Sequence, residues 1–399
     1  MINNLEKSNC TGCSACANVC PNNCITMQTD GEGFLYPSIN FNACSLCNLC
    51  ERICPSLSSL RNRNEYKPQI KAAWSLNEDV RFHSTSGGIF TEIAQSIIKN
   101  NNGYVIGARY TEDQLVEHYI IDTIEDIHLL RQSKYLQSNK TFIYKEIKKL
   151  LKNNKTVLFV GTPCEVSGLL NYLEKYYENL IVCDFVCLGA NSPKVYLRYL
   201  NMLEKKYQSK VKKVWFKNKT YGWNKFCTKI EFENGDFYLQ DRYSDHFMKG
   251  YIGLHKLYMR PCCECCKYKS IPRISDITLA DFWGIGDKDS SLDPDKGTSL
   301  IMINSKKGHF LFNSIKENIF NIDCELKDAL VGNPAIFNSA KMDSKRKLFF
   351  QEIDFLEFDQ LINKYTKDSL WIKMKKILIG LRFKFINIVR GIRVFINGV

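Results

Sequence analysis

The chain has 399 residues, a net charge of +13 and 18 cysteines, and it is long enough for two or three domains of the usual size. Its first residues contain no apolar run that would act as a secretory signal, and no stretch reaches the roughly 18 uncharged apolar residues that a spanning helix needs. We therefore expect a cytoplasmic protein. Disulfides are rare in that reducing compartment, so the cysteines indicate metal ligation or redox chemistry.

Two copies of one cysteine pattern occupy the first 55 residues. CTGCSACANVCP and CSLCNLCERICP both read C-x-x-C-x-x-C-x-x-x-C-P, at a fixed offset of 34 residues. Four cysteines at this spacing exceed what a zinc site requires, and the duplicated run is typical of two-cluster bacterial ferredoxins, in which the fourth cysteine ligates the other cluster. The sequence thus predicts two 4Fe-4S clusters, one ligated by Cys10, Cys13, Cys16 and Cys54 and the other by Cys44, Cys47, Cys50 and Cys20. Cys24 lies outside the pattern and is interpreted as an ordinary buried residue.

Helical and strand patterns alternate after a polar linker at 62–68, and a new domain is predicted to begin near Gln69. Helices are predicted in GGIFTEIAQSIIKNN, in TFIYKEIKKLLKNN and after Pro193, and strands in YVIGARY, KTVLFVG and LIVCDFVC. FCTKIEF and DFYLQD flank Asn234-Gly235, which predicts a hairpin, and DITLADFW and TSLIMINS predict two more strands. The pattern indicates an α+β or mixed α/β fold.

Seven motifs follow one another in the order found in a known family: HSTSGGIF, SKYLQS, FVGTPCEVSGL, VCDFVCLGANSP, RPCCECCKYK, SDITLADFWG and KGTSL. In this respect residues 1 to about 315 resemble the beta-subunit family of coenzyme F-420 (deazaflavin) hydrogenases and dehydrogenases. The resemblance implies that iron-sulfur clusters are paired with a bound FAD, and that electrons pass between the clusters and an organic acceptor. A flavin suits that position because clusters change by one electron, whereas most organic oxidoreductions move two.

Flavin contacts are predicted at four places. The chain has no G-x-G-x-x-G after a strand, so a dinucleotide fold is not supported, but STSGG opens a helix, where backbone N–H groups bind phosphates. The other three places are the turn after the strand KTVLFVG, the pair in SKYLQS and the carboxylate in ADFWG. The bland alternatives are a helix cap, a solvated Lys-Tyr pair and a turn cap. The predicted contacts are Ser86, Gly87, Gly88, Lys134, Tyr135, Gly161, Thr162, Pro163 and Asp281.

A third 4Fe-4S cluster is predicted from RPCCECCKYK. Aligned with the family, Cys263 and Cys266 take the recurring C-x-x-C positions, and Cys164 and Cys187 are the best candidates for the remaining two ligands. Two alternatives stay open: a zinc clip that uses Cys262, Cys263, Cys265 and Cys266, and an unligated redox pair. Packing roles are expected for Cys183, Cys227 and Cys324.

One position departs from the family pattern. A histidine is expected after the cysteine of VCDFVC, whereas this chain has Leu188, which can neither donate nor accept a proton. The acceptor or the proton route is therefore expected to differ here. His83 is the only histidine beside a predicted site, and a structural role is favoured for it.

The last 31 residues carry seven Lys or Arg residues and no acid. Apolar residues share one face of the helix predicted here, which fits a helix lying in a membrane interface at 369–396 or one that docks a partner protein. The two readings stay open. Nucleic acid is not expected as a partner, because the rest of the chain lacks a basic, aromatic platform.

The sequence predicts a two-cluster ferredoxin module, then a mixed α/β flavin-binding domain, and finally a basic amphipathic C-terminal helix. The predicted domains are 1–60, 69–155, 156–320, a helical extension at 321–368 and the tail at 369–399. The predicted function is that of an iron-sulfur flavoprotein oxidoreductase. It would use a redox partner protein or reduced ferredoxin and a small organic substrate, in the cytoplasm or at the inner membrane face. The alternatives are an electron-transfer subunit without a substrate site and a metal-stabilised scaffold.

Overall fold

The structure of the protein is a computed structural model that describes residue 2 and residues 5–58, 67–252 and 255–367. The tail predicted at 369–399 and most of the predicted linker lie outside these residues. Within the described residues, no helix combines the length and the apolar character needed to cross a membrane.

The N-terminal module repeats its secondary structure as it repeats its cysteines. Each cysteine run leads into a short helix, α1 at Ala15–Val19 and α2 at Leu49–Arg52. Between the helices, β1 at Ile25–Thr29 and β2 at Leu35–Ile39 form an antiparallel pair. The two halves are therefore joined by a sheet to which each contributes one strand.

The backbone of the two runs also repeats. Gly12 has a φ of 68° and its counterpart Leu46 a φ of 58°, while Ser14 at 65° corresponds to Asn48 at 58°. These left-handed residues stand directly before the second and third cysteine of each run. Turns that alternate in this way direct successive N–H groups into a concave site for an anion, so both runs have a backbone suited to an anionic cluster.

The rest of the described chain alternates strands and helices. The strands are β3 Gln69–Ser75, β4 Tyr104–Tyr110, β5 Val116–Ile121, β6 Val157–Val160, β7 Leu180–Phe185, β8 Val211–Asn218, β9 Cys227–Phe232, β10 Phe237–Asp241, β11 Ile277–Asp281, β12 Ser299–Ile303 and β13 Ile319–Cys324. The helices are α3 Glu78–Phe82, α4 Ile89–Asn101, α5 Ile127–Leu130, α6 Ile143–Lys152, α7 Pro163–Leu173, α8 Pro193–Tyr207, α9 His246–Tyr251, α10 Lys306–Ser314, α11 Leu326–Gly332, α12 Arg346–Glu352 and α13 Phe358–Tyr365.

Eight strands form one mixed sheet in the order β13-β3-β12-β11-β7-β6-β4-β5. The central strands β11, β7, β6 and β4 are parallel, and the strands outside them pair antiparallel. The carboxyl ends of parallel strands meet at one edge, which is where open α/β sheets place their sites. The segments after β6, β7 and β11 therefore come together, and they carry Cys164, Cys187 and Asp281. A mixed α/β fold with an N-terminal ferredoxin-like module is confirmed.

Helices cover both faces of this sheet. On one face, α4 and α10 pack over apolar residues of β4, β6 and β12. On the other face, α6 and α7 pack over β6, and this core includes Ala15 and Ile53 of the N-terminal module. A separate three-stranded sheet, β10-β9-β8, packs with α8, α9, α12 and α13. The N-terminal module thus shares a hydrophobic core with the helices that lead into and out of β6.

The predicted domain boundary at residue 155 falls inside the large sheet. β4 lies before this boundary and β6 after it, yet the two strands pair in parallel, with Val105 opposite Leu158. Strands from both sides therefore belong to one sheet.

Candidate functional site

The first predicted cluster site is buried. Cys10, Cys13, Cys16 and Cys54 are each less than a tenth exposed. Burial raises the pKa of Cys13 to about 12, and the neighbouring thiolates of Cys54 and Cys10 raise it further. Burial likewise raises the pKa of Cys16, as do Cys13, Cys10 and Cys54. The structure therefore brings these four thiols together, and a bound cationic iron would relieve their mutual repulsion. We call them the inner cluster site.

The second predicted site is more open. Cys47 is exposed, Cys44 and Cys50 are half-buried, and Cys20 is buried. The sulfur of Cys24 lies 3.2 Å from that of Cys20, so this residue, which the sequence suggested was ordinary packing, borders the ligands. We call Cys20, Cys44, Cys47 and Cys50 the outer cluster site.

The inner site packs directly against α7. A Cβ added to Gly168 would lie 2.9 Å from the Cβ and 3.0 Å from the sulfur of Cys13. Real Cβ atoms essentially never approach so closely, so only glycine fits at this point of the helix. The buried guanidinium of Arg260 adds a second contact, since its Nε donates to the carbonyl of Cys10 at 2.8 Å.

The four cysteines predicted for a third cluster line one cavity. Cys164 lies at the start of α7, Cys187 follows β7, Cys263 ends a short 3₁₀ turn and Cys266 comes three residues later. The cavity also includes Cys262 and Cys265. Its six cysteines are therefore Cys164, Cys187, Cys262, Cys263, Cys265 and Cys266. We call this the six-cysteine cavity.

Electrostatics within the cavity show that its thiols are neighbours. Burial raises the pKa of Cys187 to about 12, with further contributions from Cys263 and Cys266. Burial also raises the pKa of Cys164, helped by Glu165, Cys187 and Cys266. All four predicted ligands therefore interact, which is the convergence that a 4Fe-4S cluster requires of its thiolates. The third cluster itself stays a prediction.

The GTP turn is held from behind by buried charges. Thr162 and Glu165 form a capping box at the start of α7, in which Glu165 accepts from the Thr162 N–H at 2.8 Å. Lys140 lies 2.7 Å and His118 3.9 Å from the Glu165 carboxylate. Burial would raise the pKa of Glu165, but these two partners lower it to about 2. Thr162 and Pro163 line the six-cysteine cavity, and Gly161 stands just before them.

The predicted phosphate turn already has partners within the protein. The Gly87 N–H donates to the Ser299 hydroxyl at 2.9 Å, and the Ser86 hydroxyl donates to the Thr298 carbonyl at 2.8 Å. Gly88 is left-handed at φ 92° and precedes α4. Both glycines are thus needed by the local packing, and their contact with a flavin stays a prediction.

The remaining predicted contacts meet at a lysine that the sequence analysis missed. Lys217 on β8 forms a buried ion pair with Asp281. Asp281 also accepts from the indole N–H of Trp223 at 3.0 Å, and Trp223 stacks on Trp283 with ring centres 4.3 Å apart. Burial raises the pKa of Tyr135, whereas the nearby Lys217 lowers it. Tyr135 and Asp281 therefore share one cation.

Two further lysines in this region have no carboxylate partner among their hydrogen bonds. Lys219 donates to the carbonyls of Ser86, Arg81 and Lys296 at 2.5, 2.7 and 2.9 Å, and burial lowers its pKa to about 7. Lys134 donates to the Arg131 carbonyl at 2.6 Å, and burial lowers its pKa to about 7 as well. The sequence signalled Lys134 through its motif but gave no such signal for Lys219.

The two residues singled out as departures have clear positions. Leu188 lines the six-cysteine cavity next to Cys187. His83 stacks on Trp215 with ring centres 5.5 Å apart and pairs with Asp79 at 3.0 Å. These contacts are the kind expected of the structural role favoured for His83.

Fold and cysteine geometry define an iron-sulfur protein in which a ferredoxin module is packed on a mixed α/β domain. Residues 154–324 match, and belong to, the family described as the C terminus of the "Coenzyme F420 hydrogenase/dehydrogenase, beta subunit". Residues 9–57 match the "4Fe-4S dicluster domain". The resemblance predicted from the motifs and the two 4Fe-4S clusters predicted from the repeat are thereby confirmed at the level of these domains.

Similar proteins cover parts of the chain. The ferredoxin-type protein NapF of Escherichia coli strain K12 is 37% identical over 71 residues, which is 17% of this chain and 37% of that protein, and the NapF of strain O157:H7 matches equally. The chain thus spans little more than a third of these curated relatives. A chain in a xenon-derivatised structure of the F420-reducing [NiFe] hydrogenase complex from Methanosarcina barkeri is 16% identical, with a TM-score of 0.45, over 74% of this chain and 91% of that chain.

Proposed function

We propose that this protein is an iron-sulfur flavoprotein oxidoreductase that relays single electrons through three clusters to FAD and then to an organic substrate. The outer cluster receives electrons from a redox partner protein such as reduced ferredoxin. The inner cluster passes them to a third cluster held by Cys164, Cys187, Cys263 and Cys266.

One observation carries this proposal: α7 spans the inner cluster site and the six-cysteine cavity within one helical turn. Cys164 and Gly168 are four residues apart, so they share a helix face with about 5–6 Å between their Cβ positions. Cys13 lies against Gly168. Ligands of the two clusters therefore flank one turn of helix, which suits direct electron transfer between them.

The FAD would supply the conversion between one-electron and two-electron chemistry. Tyr135, Lys217 and Asp281 form the polar group closest in kind to what a flavin ring needs: a ring face, a buried cation and a carboxylate. Lys134 and Lys219 supply positive charge that no carboxylate in their hydrogen bonding neutralises, and that charge suits a diphosphate. Ser86 and Gly88 border this region and stay part of the proposed site.

Metal and flavin analysis of anaerobically purified protein tests the proposal. Three 4Fe-4S clusters require about twelve irons per chain and two require about eight. The variant Cys263→Ser should lower the iron content by about four atoms. Cys227→Ser is the matched control, because that thiol is buried on β9 and bonds to Asn218. Mild denaturation should release FAD in roughly equimolar amount.

Three results would contradict parts of the proposal. Zinc in place of iron would remove the relay, and eight irons with no effect of Cys263→Ser would remove the third cluster. A colourless supernatant from fully iron-loaded protein would remove the flavin and favour the alternative, an electron-transfer subunit without its own substrate site. That subunit should return with stoichiometric partners when it is purified from its own cells.

A further inference from the structure

Arg260 occupies the junction between the inner cluster site and the six-cysteine cavity. The side chain is 1% exposed and lines the cavity. Its Nε donates to the Cys10 carbonyl at 2.8 Å and its Nη2 to the Leu35 carbonyl at 3.0 Å. Both acceptors are neutral main-chain groups, so these bonds leave the positive charge uncompensated.

Two donor atoms at this junction lack an acceptor in the described part of the chain. They are Nη1 of Arg260 and Nε2 of Gln137, both on buried side chains that line the cavity. Gln137 is anchored at its other end, where Oε1 accepts from the Leu35 N–H at 2.8 Å. A buried donor without an acceptor costs about 1–3 kcal/mol, so a pair of them at one place indicates that an acceptor belongs there.

Both donors border the Cys10–Cys13 turn. A Cβ built on Gly12 would lie 2.1 Å from Gln137 Nε2 and 3.0 Å from Arg260 Nη1. The donors can approach only because position 12 is glycine. Burial lowers the pKa of Arg260, but anionic Cys10, Tyr36, Cys262 and Cys263 raise it above its usual value, so thiolates on both sides stabilise this cation.

We infer that Arg260, assisted by the Gln137 amide, stabilises the reduced states of the inner and third clusters by placing a buried positive charge and two hydrogen-bond donors between them. The inference rests on the proposed relay. In each step one cluster loses one electron and the next gains it, with no bond or proton transferred, so the negative charge moves past a fixed cation. Arg260 is a positioning residue that sets reduction potentials and does not react.

The physical basis is the low dielectric of a buried junction. A unit charge interacts there far more strongly than in water, and N–H donors to cluster sulfurs are among the features that set cluster potentials. Removing the cation should therefore make reduction of the two adjacent clusters harder. The outer cluster site belongs to the second run, where Leu46 replaces Gly12, and its potential should change little.

An anaerobic redox titration of the full-length protein, followed by EPR with dithionite as reductant, tests this inference. Arg260→Met should lower the reduction equilibrium constants of the inner and third clusters roughly tenfold, which is about 59 mV for a one-electron couple. Arg260→Lys keeps the charge and should recover most of that loss. Gln137→Glu keeps the acceptor for the Leu35 N–H but adds a negative charge, so it should lower the same two potentials. Cys263→Ser assigns the third cluster's signal.

The outcomes separate the inference from the proposed function. Unchanged potentials in fully iron-loaded Arg260→Met would overturn it. Equal iron loss in Arg260→Met and Arg260→Lys, with no shift in Gln137→Glu, would also overturn it, because Arg260 would then only hold the module in place. Eight irons in the unmodified protein would refute the third cluster, and the inner cluster's potential would still decide the inference.

Discussion

The two cysteine runs share their spacing and backbone but differ in their surroundings. The first run is buried against α7 and Arg260, and its left-handed glycine allows two side chains of the main domain to approach. In the second run the same left-handed position is Leu46, which is 60% exposed, and the adjacent Cys47 is exposed as well. The repeat therefore specifies two equivalent cluster sites, while docking on the main domain makes one internal and leaves the other at the surface.

This difference gives the proposed relay a direction in space. A protein donor can reach the outer cluster, whereas the inner cluster faces the six-cysteine cavity. Phe41 and Leu57, which are 53% and 49% exposed, add apolar surface to the outer half of the module. Exposed apolar groups beside a redox centre are what a transient partner would cover.

The largest effect is expected from breaking the contact between α7 and the inner run. Gly168→Val would force side-chain atoms into Cys13, and overpacking of this kind costs about 1–3 kcal/mol. We expect the module to move away from α7, with electron transfer from the inner to the third cluster slowed at least tenfold. The magnetic interaction between these reduced clusters, measured by EPR, should weaken in parallel.

Gly31→Val is the matched control for Gly168→Val. It lies in the same module, and nothing stands within 4 Å of a Cβ added there. Its electron transfer and EPR spectrum should match those of the unmodified protein. If Gly168→Val retained the full magnetic interaction, the helix would not set the distance between the two clusters.

A smaller effect is expected at the outer run. Leu46→Asp places a charge on the apolar surface beside Cys47, and we expect reduction by a two-cluster ferredoxin to slow roughly tenfold, equivalent to about 1.4 kcal/mol of lost contact. Reduction by dithionite, which needs no docking surface, should be unchanged. Leu348→Asp on α12 is the control, because Leu348 is also about half exposed. Equal slowing in both variants would show that Leu46 is not a specific contact.

The sequence predicted the cluster ligands well because their chemistry is local. Cysteine spacing alone identifies the two runs, and the hydrophobic periodicity of α4, α6 and α8 and the Asn234-Gly235 turn between β9 and β10 gave elements that the structure contains. The approach of Cys164 and Cys187 to Cys263 and Cys266 needed the family resemblance, since nothing in their separation along the chain indicates contact. β6 and β7 bring them together by pairing in parallel.

The residues that the sequence did not reveal act through tertiary contacts. Lys217 and Lys219 lie on or just after β8, and Gln137 follows the SKY motif, without any spacing that marks them as site residues. Arg260 stands in a recognised motif, but its role depends on which carbonyls it meets. Gly168 has a purpose only because Cys13, 155 positions earlier in the chain, packs against it.

The smallest predicted effect concerns the charges behind the GTP turn, where burial lowers the pKa of His118 to about 4 from its usual 6.5. Because the folded pKa is below the unfolded one, His118 contributes stability that is present above pH 6.5 and is lost as the pH falls towards 4. At about 1.4 kcal/mol per pKa unit, the loss between pH 7 and pH 6 is about 0.7 kcal/mol. Urea unfolding of the anaerobic protein at these two pH values measures it. His118→Gln cannot take up a proton, so its stability should vary less over the same range, and an unchanged slope would show that His118 does not remain neutral in the fold.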